Sequence, residues 1–247
     1  MVQKFDFNYT PADEPRTIHL YLPDEYYDTD ERYPVIYMFD GHNLFFDSDA
    51  TYGKSWGMKD FLDRYDKRVI ILGFECSHTG NQRIVEYSPY NIWEKEVGSI
   101  RGIGDETMQW IINEVKPFID SNYRTYSFRE ATAIGGSSMG GLMALYGVLK
   151  YNEVFSKSAA ISPALFNRTR DFLRLIGTTP LDPDTRIYFS WGQYEDRWGS
   201  LRRNVHRIND LLHKKDIITL LRLQQGGHHC EADWERLVPE WMDFLWK

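Results

Sequence analysis

Two cysteines, Cys76 and Cys230, are all that this chain contains. That excludes a disulfide framework and a four-cysteine metal centre. Basic runs are missing too, and the net charge is −7, so nucleic acid and anionic membrane surfaces are poor partners. No apolar stretch approaches the roughly 18 residues that span a bilayer. The opening Met1-Val2-Gln3-Lys4-Phe5-Asp6-Phe7 lacks the apolar core of a secretory leader. Internal repeats, low-complexity tracts and composition shifts are likewise lacking. These absences lead to the expectation of a cytoplasmic protein whose residues 1–247 form a single domain, long enough to bury a sizeable core.

What the chain does have is an alternation of β-rich runs and helical patterns, which predicts an α/β fold with a mostly parallel twisted sheet and helices on both faces. Residues 16–22 read as an early antiparallel strand that Pro23 ends. The runs 34–39 and 69–74 are almost continuously apolar, as strands buried on both faces should be. Between them, Met58, Phe61, Leu62 and Tyr65 share one helical face. Residues 103–122 repeat apolar side chains at helical spacing, with Pro117 predicting a kink or restart. Further strands are expected at 130–135, 157–161, 186–191 and 217–223, and helices at 139–151, 197–214 and 232–246. The stretch 75–100 is polar, aromatic and weakly periodic, too long for a plain connection, and is expected to be a lid or substrate loop. Aromatics make up 15% of the chain. Several fall in loops (Tyr52, Trp56, Tyr87, Tyr90, Trp93, Trp191, Tyr194, Trp198), where packing is their first role and an apolar pocket lining their second.

The strand expected at 130–135 runs into Gly136-Ser137-Ser138-Met139-Gly140-Gly141 and then into a helix-forming stretch. A G-x-S-x-G sequence between strand and helix is the context of a nucleophile elbow, in which the serine sits exposed on a sharp turn and flanking side chains would collide with it. The alternative, a phosphate cradle at a helix N-terminus, lacks the lysine that a P-loop needs after Gly140-Gly141. Ser138 is therefore the candidate nucleophile.

A serine hydroxyl needs a base, and on such folds the carboxylate and then the histidine follow the serine in the chain. His206 and His213 share a helical face and read as packing or surface residues. His228 and His229 follow the strand at 217–223 on a glycine loop, the expected place for the base, and loop geometry does not choose between them. The loop after the strand at 186–191 offers Glu195 and Asp196. Asp196 lies nearer the next helix and suits a capping role, which favours Glu195 as the acid. Two backbone N–H groups should hold the oxyanion: that of Met139, after the nucleophile, and that of His42 or a neighbour in the Asp40-Gly41-His42-Asn43 turn. His42 as a metal ligand has no companion at ligand spacing. No metal or organic cofactor is expected.

Taken together, five segments resemble the putative-esterase family of α/β-hydrolases, over 33–246. They are Tyr33-Pro34-Val35-Ile36-Tyr37-Met38-Phe39-Asp40-Gly41-His42-Asn43-Leu44-Phe45, Arg83-Ile84-Val85-Glu86-Tyr87-Ser88-Pro89, Gly135-Gly136-Ser137-Ser138-Met139-Gly140-Gly141-Leu142, Ser162-Pro163, and His229-Cys230-Glu231-Ala232-Asp233-Trp234. The family includes enterochelin-type siderophore esterases, feruloyl and acetyl-xylan esterases, S-formylglutathione hydrolases and mycolyltransferases. The resemblance implies His229 as the base, because the family histidine precedes a tryptophan by five positions. It implies Glu195, three residues after the strand-end Gly192, as the acid, and His42 as the second oxyanion donor. The chain departs from the family at His42, where glutamine is usual, and at His228, where a small polar or acidic residue is common.

The expected activity is serine carboxylesterase action on a small-molecule ester: a siderophore, an acylated sugar or a simple acyl ester. Acyl transfer to an alcohol and thioester hydrolysis would use the same residues, and a non-catalytic binding protein would not need all three. Arg83, Lys95 and Arg101 read first as solvated charges, and second as groups that meet an acidic or catecholate substrate.

Overall fold

The computed structural model describes residues 1–94, 98–165, 168–196 and 199–247; Lys95, Glu96, Val97, Phe166, Asn167, Arg197 and Trp198 lie outside them. The strands are β1 (Val2–Tyr9), β2 (Glu14–Tyr21), β3 (Val35–Phe39), β4 (Ile70–Phe74), β5 (Ile92–Glu94), β6 (Gly98–Ile100), β7 (Thr132–Ser137), β8 (Lys157–Ile161), β9 (Arg186–Gly192) and β10 (Ile218–Gln224). The α-helices are α1 (Met58–Leu62), α2 (Gln82–Glu86), α3 (Gly104–Trp110), α4 (Lys116–Asn122), α5 (Met139–Lys150), α6 (Thr169–Thr178), α7 (Ser200–His213), α8 (Glu231–Glu235) and α9 (Val238–Trp246).

Eight strands form one sheet in the order β1-β2-β4-β3-β7-β8-β9-β10. From β4 to β10 neighbours run parallel, while β2 is antiparallel to both β1 and β4. The period of two in a strand explains why the parallel strands read as continuous apolar runs. Val35, Tyr37 and Phe39 enter one core with α3, α5, α6 and α7. Ile36 and Met38, pointing the other way, enter a second core with α1, α8 and α9. Helix α5 is buried from Met139 to Leu149, so it needs no polar face. No helix among the described residues is long and apolar enough to cross a membrane.

Pro117 has the effect its chemistry dictates. It has no N–H for the carbonyl four residues back, and its ring crowds that carbonyl. The chain responds with a π-helical stretch, Ile111–Val115, whose last bond runs from Lys116 N–H to Ile111 O. The extra residue per turn carries one helix into the next without a break. Strand β1 and helix α6 are additions to the expected elements. The C-terminal helix expected at 232–246 divides in two before Pro239, which takes one of the first positions of α9.

At the amino-terminal edge of the sheet, Lys157 opens β8. Its ammonium donates to Glu130 O (2.5 Å) and Ser156 Oγ (2.9 Å) and lies 5.1 Å from the Trp246 ring centre. Burial, reinforced by Arg186 and Arg129 against the charge of Asp184, lowers its pKa from 10.5 to about 8. Between those values the unfolded chain binds a proton that the folded chain does not, so this group's contribution to stability rises with pH across that window. Urea unfolding of wild type and Lys157→Met from pH 8 to 10 should therefore show the stability difference moving in favour of wild type. A pH-independent difference would contradict the assignment.

Candidate active site

The carboxyl ends of β3, β4, β7, β8, β9 and β10 lie side by side, and the residues singled out above emerge there, where open parallel sheets place their ligands. Ser138 stands between β7 and α5 with φ 56° and ψ −118°, a conformation that costs a non-glycine residue of order 1–3 kcal/mol. The surroundings enforce it. The Ser138 N–H donates to Ile161 O (3.0 Å), and its carbonyl accepts from Ala164 N (2.9 Å) and Leu142 N (3.0 Å). A Cβ on Gly136 would sit 2.8 Å from the Gly140 backbone, and one on Gly140 would sit 2.8 Å from Phe39 Cβ. This close approach is why glycines flank the serine.

The last two loops are stitched together. Gln193 N donates to Gln224 O (3.0 Å) and Tyr194 N to Gly227 O (2.9 Å). Glu195 and His229 meet as a result: His229 Nδ1–H donates to Glu195 Oε2 at 2.5 Å. The other carboxylate oxygen accepts from Ser162 Oγ–H (2.7 Å) and from the Gly192 N–H. Ser162 Oγ in turn accepts from Trp234 Nε1–H (3.1 Å), and the Trp234 ring stands edge-on to His229 at 5.0 Å. Glu195 is thus held by three donors in a fixed orientation, with its side chain 6% exposed. Ser162 and Trp234 belong to segments that carried the family resemblance but had no role assigned. Their signal in the sequence is the Ser-Pro pair ending β8 and the tryptophan five residues after His229.

The neighbouring alternatives take other positions. Asp196 accepts from Leu201 N and Arg202 N, both at 2.9 Å, and so caps α7. The His228 ring packs against Tyr194 at 4.9 Å, 65% exposed, while its backbone N–H donates to Asp233 Oδ2 at 2.5 Å. His206 packs on Trp191, and His213 bonds Thr219.

The turn after β3 is a short 3₁₀ segment, Gly41–Asn43, entered through Asp40 at φ 59°. Gly41 crosses β4 so closely that a Cβ would lie 2.5 Å from the Gly73 carbonyl carbon. Within the turn, Asn43 N bonds Asp40 O and Leu44 N bonds Gly41 O, leaving the His42 N–H outside the turn's own hydrogen bonds. Met139 is the first residue of α5, so its N–H has no intrahelical acceptor. The His42 ring is buried, and burial lowers its pKa; the neutral form is favoured.

Arg83 is neither a solvated surface charge nor free for an anionic substrate. It grips Asp40 with two hydrogen bonds of 2.7 Å, Nε to Oδ1 and Nη2 to Oδ2, and lies over the Tyr87 ring. Other members of its segment are equally engaged. Glu86 pairs with buried Arg16 at 2.5 Å and accepts from Ser77 N, and Ser88 Oγ bonds Ile84 O. The segment 75–100 thus contains a brace for the turn after β3, in α2, and a β5–β6 hairpin. Arg101 is exposed just past that hairpin. Replacing Arg83 by Met leaves the Asp40 carboxylate, 5% exposed, without its fork. With Arg83 itself a third exposed, the expected loss is about 2 kcal/mol, below the usual cost of halving a fully buried pair. Turnover should fall roughly 10- to 100-fold as the turn loosens, read by thermal unfolding and steady-state kinetics.

Two clefts meet at Ser138 and His229. One, of about 470 Å³, is polar and bordered by Asp40, His42, His78, Arg83 and Glu231. The other, of about 480 Å³, is bordered by Pro163, Ala164, Leu165 and Leu201 together with Asn204. Burial, with the Asp40 charge adding, raises the pKa of Glu231. Burial likewise pushes the Cys76 thiol up, with Asp40 adding to it, so Cys76 is an inert thiol rather than a rival nucleophile.

A mostly parallel eight-stranded sheet with a serine on a strained strand-to-helix turn is the architecture of an α/β-hydrolase. The chain belongs to the putative esterase family, whose model matches residues 10–244, and it is a hydrolase acting on ester bonds. It is 27% identical over 206 residues to the uncharacterized protein YbbA of Bacillus subtilis, a match spanning 81% of this chain and 77% of that one. Among solved structures it is similar to a ferulic acid esterase (TM-score 0.74, 18% identity, 99% of this chain and 97% of that one). It is also similar to the enterobactin esterase of Shigella flexneri (TM-score 0.75, 15% identity), covering all of this chain but 59% of that one.

Proposed function

We propose that the protein is a serine carboxylesterase working through an acyl-enzyme on Ser138. The observation that carries this reading is the 2.5 Å hydrogen bond from His229 Nδ1–H to Glu195 Oε2, made at a cleft that Ser138 and His229 both line. With Nδ1–H committed to the carboxylate, Nε2 presents a lone pair, as a general base requires. Ser138 Oγ attacks the ester carbonyl carbon while His229 Nε2 takes its proton. The N–H groups of Met139 and His42 hold the oxyanion of the tetrahedral intermediate. His229 then protonates the departing alcohol. Water, deprotonated by the same nitrogen, attacks the acyl-enzyme and frees the acid and Ser138. Glu195 holds the imidazole tautomer and stabilises the imidazolium.

The clefts on either side of the reacting pair suit the two halves of an ester: a polar group between His42, His78 and Arg83, and an apolar group against Pro163, Leu165 and Leu201. The beginning of the segment 75–100, through Ser77, His78 and Arg83, borders the polar cleft, which supports its role as a substrate loop within a one-domain enzyme. The names of the structural neighbours put aromatic acyl esters and siderophore esters in the panel of candidates, beside acetylated sugars and short aryl esters.

Glu195→Gln tests the reading. The amide can still accept from Ser162, but it turns an N–H toward His229 Nδ1. That favours the tautomer with its proton on Nε2, the wrong one for a base. kcat should fall by about 10³–10⁴ while KM changes little. A loss below tenfold would remove Glu195 from the mechanism.

A further inference from the structure

Beside Ser138, a cluster of titratable side chains makes none of the proton transfers of the proposed ester chemistry. Glu75, just past β4, accepts from His19 Nε2–H at 2.6 Å through Oε1 and from His78 Nε2–H at 2.9 Å through Oε2. The His42 ring lies 4.7 Å from that of His78. One ligand atom each from His42, Glu75 and His78 falls within 4.8 Å of the others. His42 is 6% exposed, and its Nδ1 is buried without a hydrogen-bond partner. A bare ring nitrogen in that position costs free energy unless something occupies it.

We propose that His42, Glu75 and His78 form a binding site for a divalent transition-metal ion of the zinc type. Two imidazole nitrogens and one carboxylate are the donors that zinc favours over calcium or magnesium, and three protein ligands leave a fourth position open to water or a substrate atom. The supporting bonds suit the role. Thr51 Oγ1 lies 3.0 Å from His42 Nε2; accepting from that N–H, it leaves the Nδ1 lone pair for the ion. The His19 N–H on Oε1 orients the Glu75 carboxylate from behind, as partners of metal ligands do. The ion takes the place of the hydrogen between Glu75 Oε2 and His78 Nε2, and neutral His78 then carries its proton on Nδ1. Tetrahedral bonds of about 2.0–2.1 Å put ligand atoms about 3.3 Å apart. The 2.9 Å pair must open slightly, and the His42 nitrogen must close in. The His78 side chain, 56% exposed, has room to move. The ion would tie the turn after β3 to the loop after β4.

The test uses untagged, chelator-stripped full-length protein and reads metal binding rather than activity, so its outcome is separate from that of the esterase reading. Zn²⁺ titration against a chromophoric chelator should show one tight equivalent, and Co²⁺ should give the intense visible bands of a four-coordinate site. His78→Ala, at an exposed side chain that can be lost without unfolding, should weaken Zn²⁺ binding at least about 100-fold, and Glu75→Gln should do the same. His228→Ala and Cys230→Ser should bind as wild type does. No stoichiometric Zn²⁺ complex in wild type, or unchanged affinity in His78→Ala, would overturn the proposal, as would loss of binding in His228→Ala.

Discussion

Ser138→Ala is expected to lower kcat/KM for p-nitrophenyl acetate by on the order of 10⁴ or more, to a rate near the uncatalysed background. The size follows from what is removed. In the proposed mechanism no acyl-enzyme forms without Oγ, and the oxyanion donors can assist only a direct attack by water. The fold should be untouched. Alanine keeps the Cβ that Ser138 already carries at φ 56°, so the turn acquires no new strain. The hydrogen bonds from Ser138 N to Ile161 O and from Ala164 N to Ser138 O are backbone bonds that survive. Near-wild-type thermal unfolding with activity lost separates a chemical role from a structural one. Retained hydrolysis would end the assignment.

His229→Ala should cost as much, also on the order of 10⁴, because in the proposed mechanism nucleophile and base act as one unit. His228→Ala should stay within about threefold of wild type. The contrast is sharp because the two residues are adjacent and chemically identical. What distinguishes them is direction: the His229 ring points to Glu195 at the cleft, whereas the His228 ring lies outward on Tyr194. Residue 228 meets Asp233 through its backbone N–H, which alanine keeps, and through Nδ1 at 3.4 Å on a largely exposed side chain, a contact whose loss costs little. Equal losses in both variants would mean that the loop, not the imidazole, carries the effect. Steady-state kinetics with a thermal-unfolding control on each variant checks the prediction.

The sheet was legible because burial on both faces writes itself into local composition: the runs around Val35–Phe39 and Ile70–Phe74 could be little else. Strand β1, which is not among the expected elements, does carry a signal: Phe5, Phe7 and Tyr9 alternate with exposed Lys4, Asp6 and Asn8, the period-two pattern of a half-buried edge strand. Helix α6 carries Phe172 and Ile176 on a buried face, a signal present but short. At the site, the glycines around Ser138 could be read from local sterics alone. Choosing His229 over His228 needed the spacing to Trp234, and the structure supplies a physical basis for that spacing: Trp234 packs on His229 and donates to Ser162, which holds Glu195. Arg83 was misplaced because its partner, Asp40, is 43 residues away, and no spacing rule reports a contact that only the fold makes. The grouping of His42 with Glu75 and His78 was invisible for the same reason. It depends on β3 and β4 being neighbours in the sheet.

The central claim is that Ser138 is the acylated nucleophile, and the most direct measurement is the site of covalent labelling. Wild-type protein treated with a fluorophosphonate should gain one adduct, and peptide mass mapping should place it on Ser138. Ser138→Ala should gain none, and His229→Ala should react far more slowly. An adduct on any other residue, or a folded wild-type protein that stays unlabelled while it hydrolyses esters, would contradict the account.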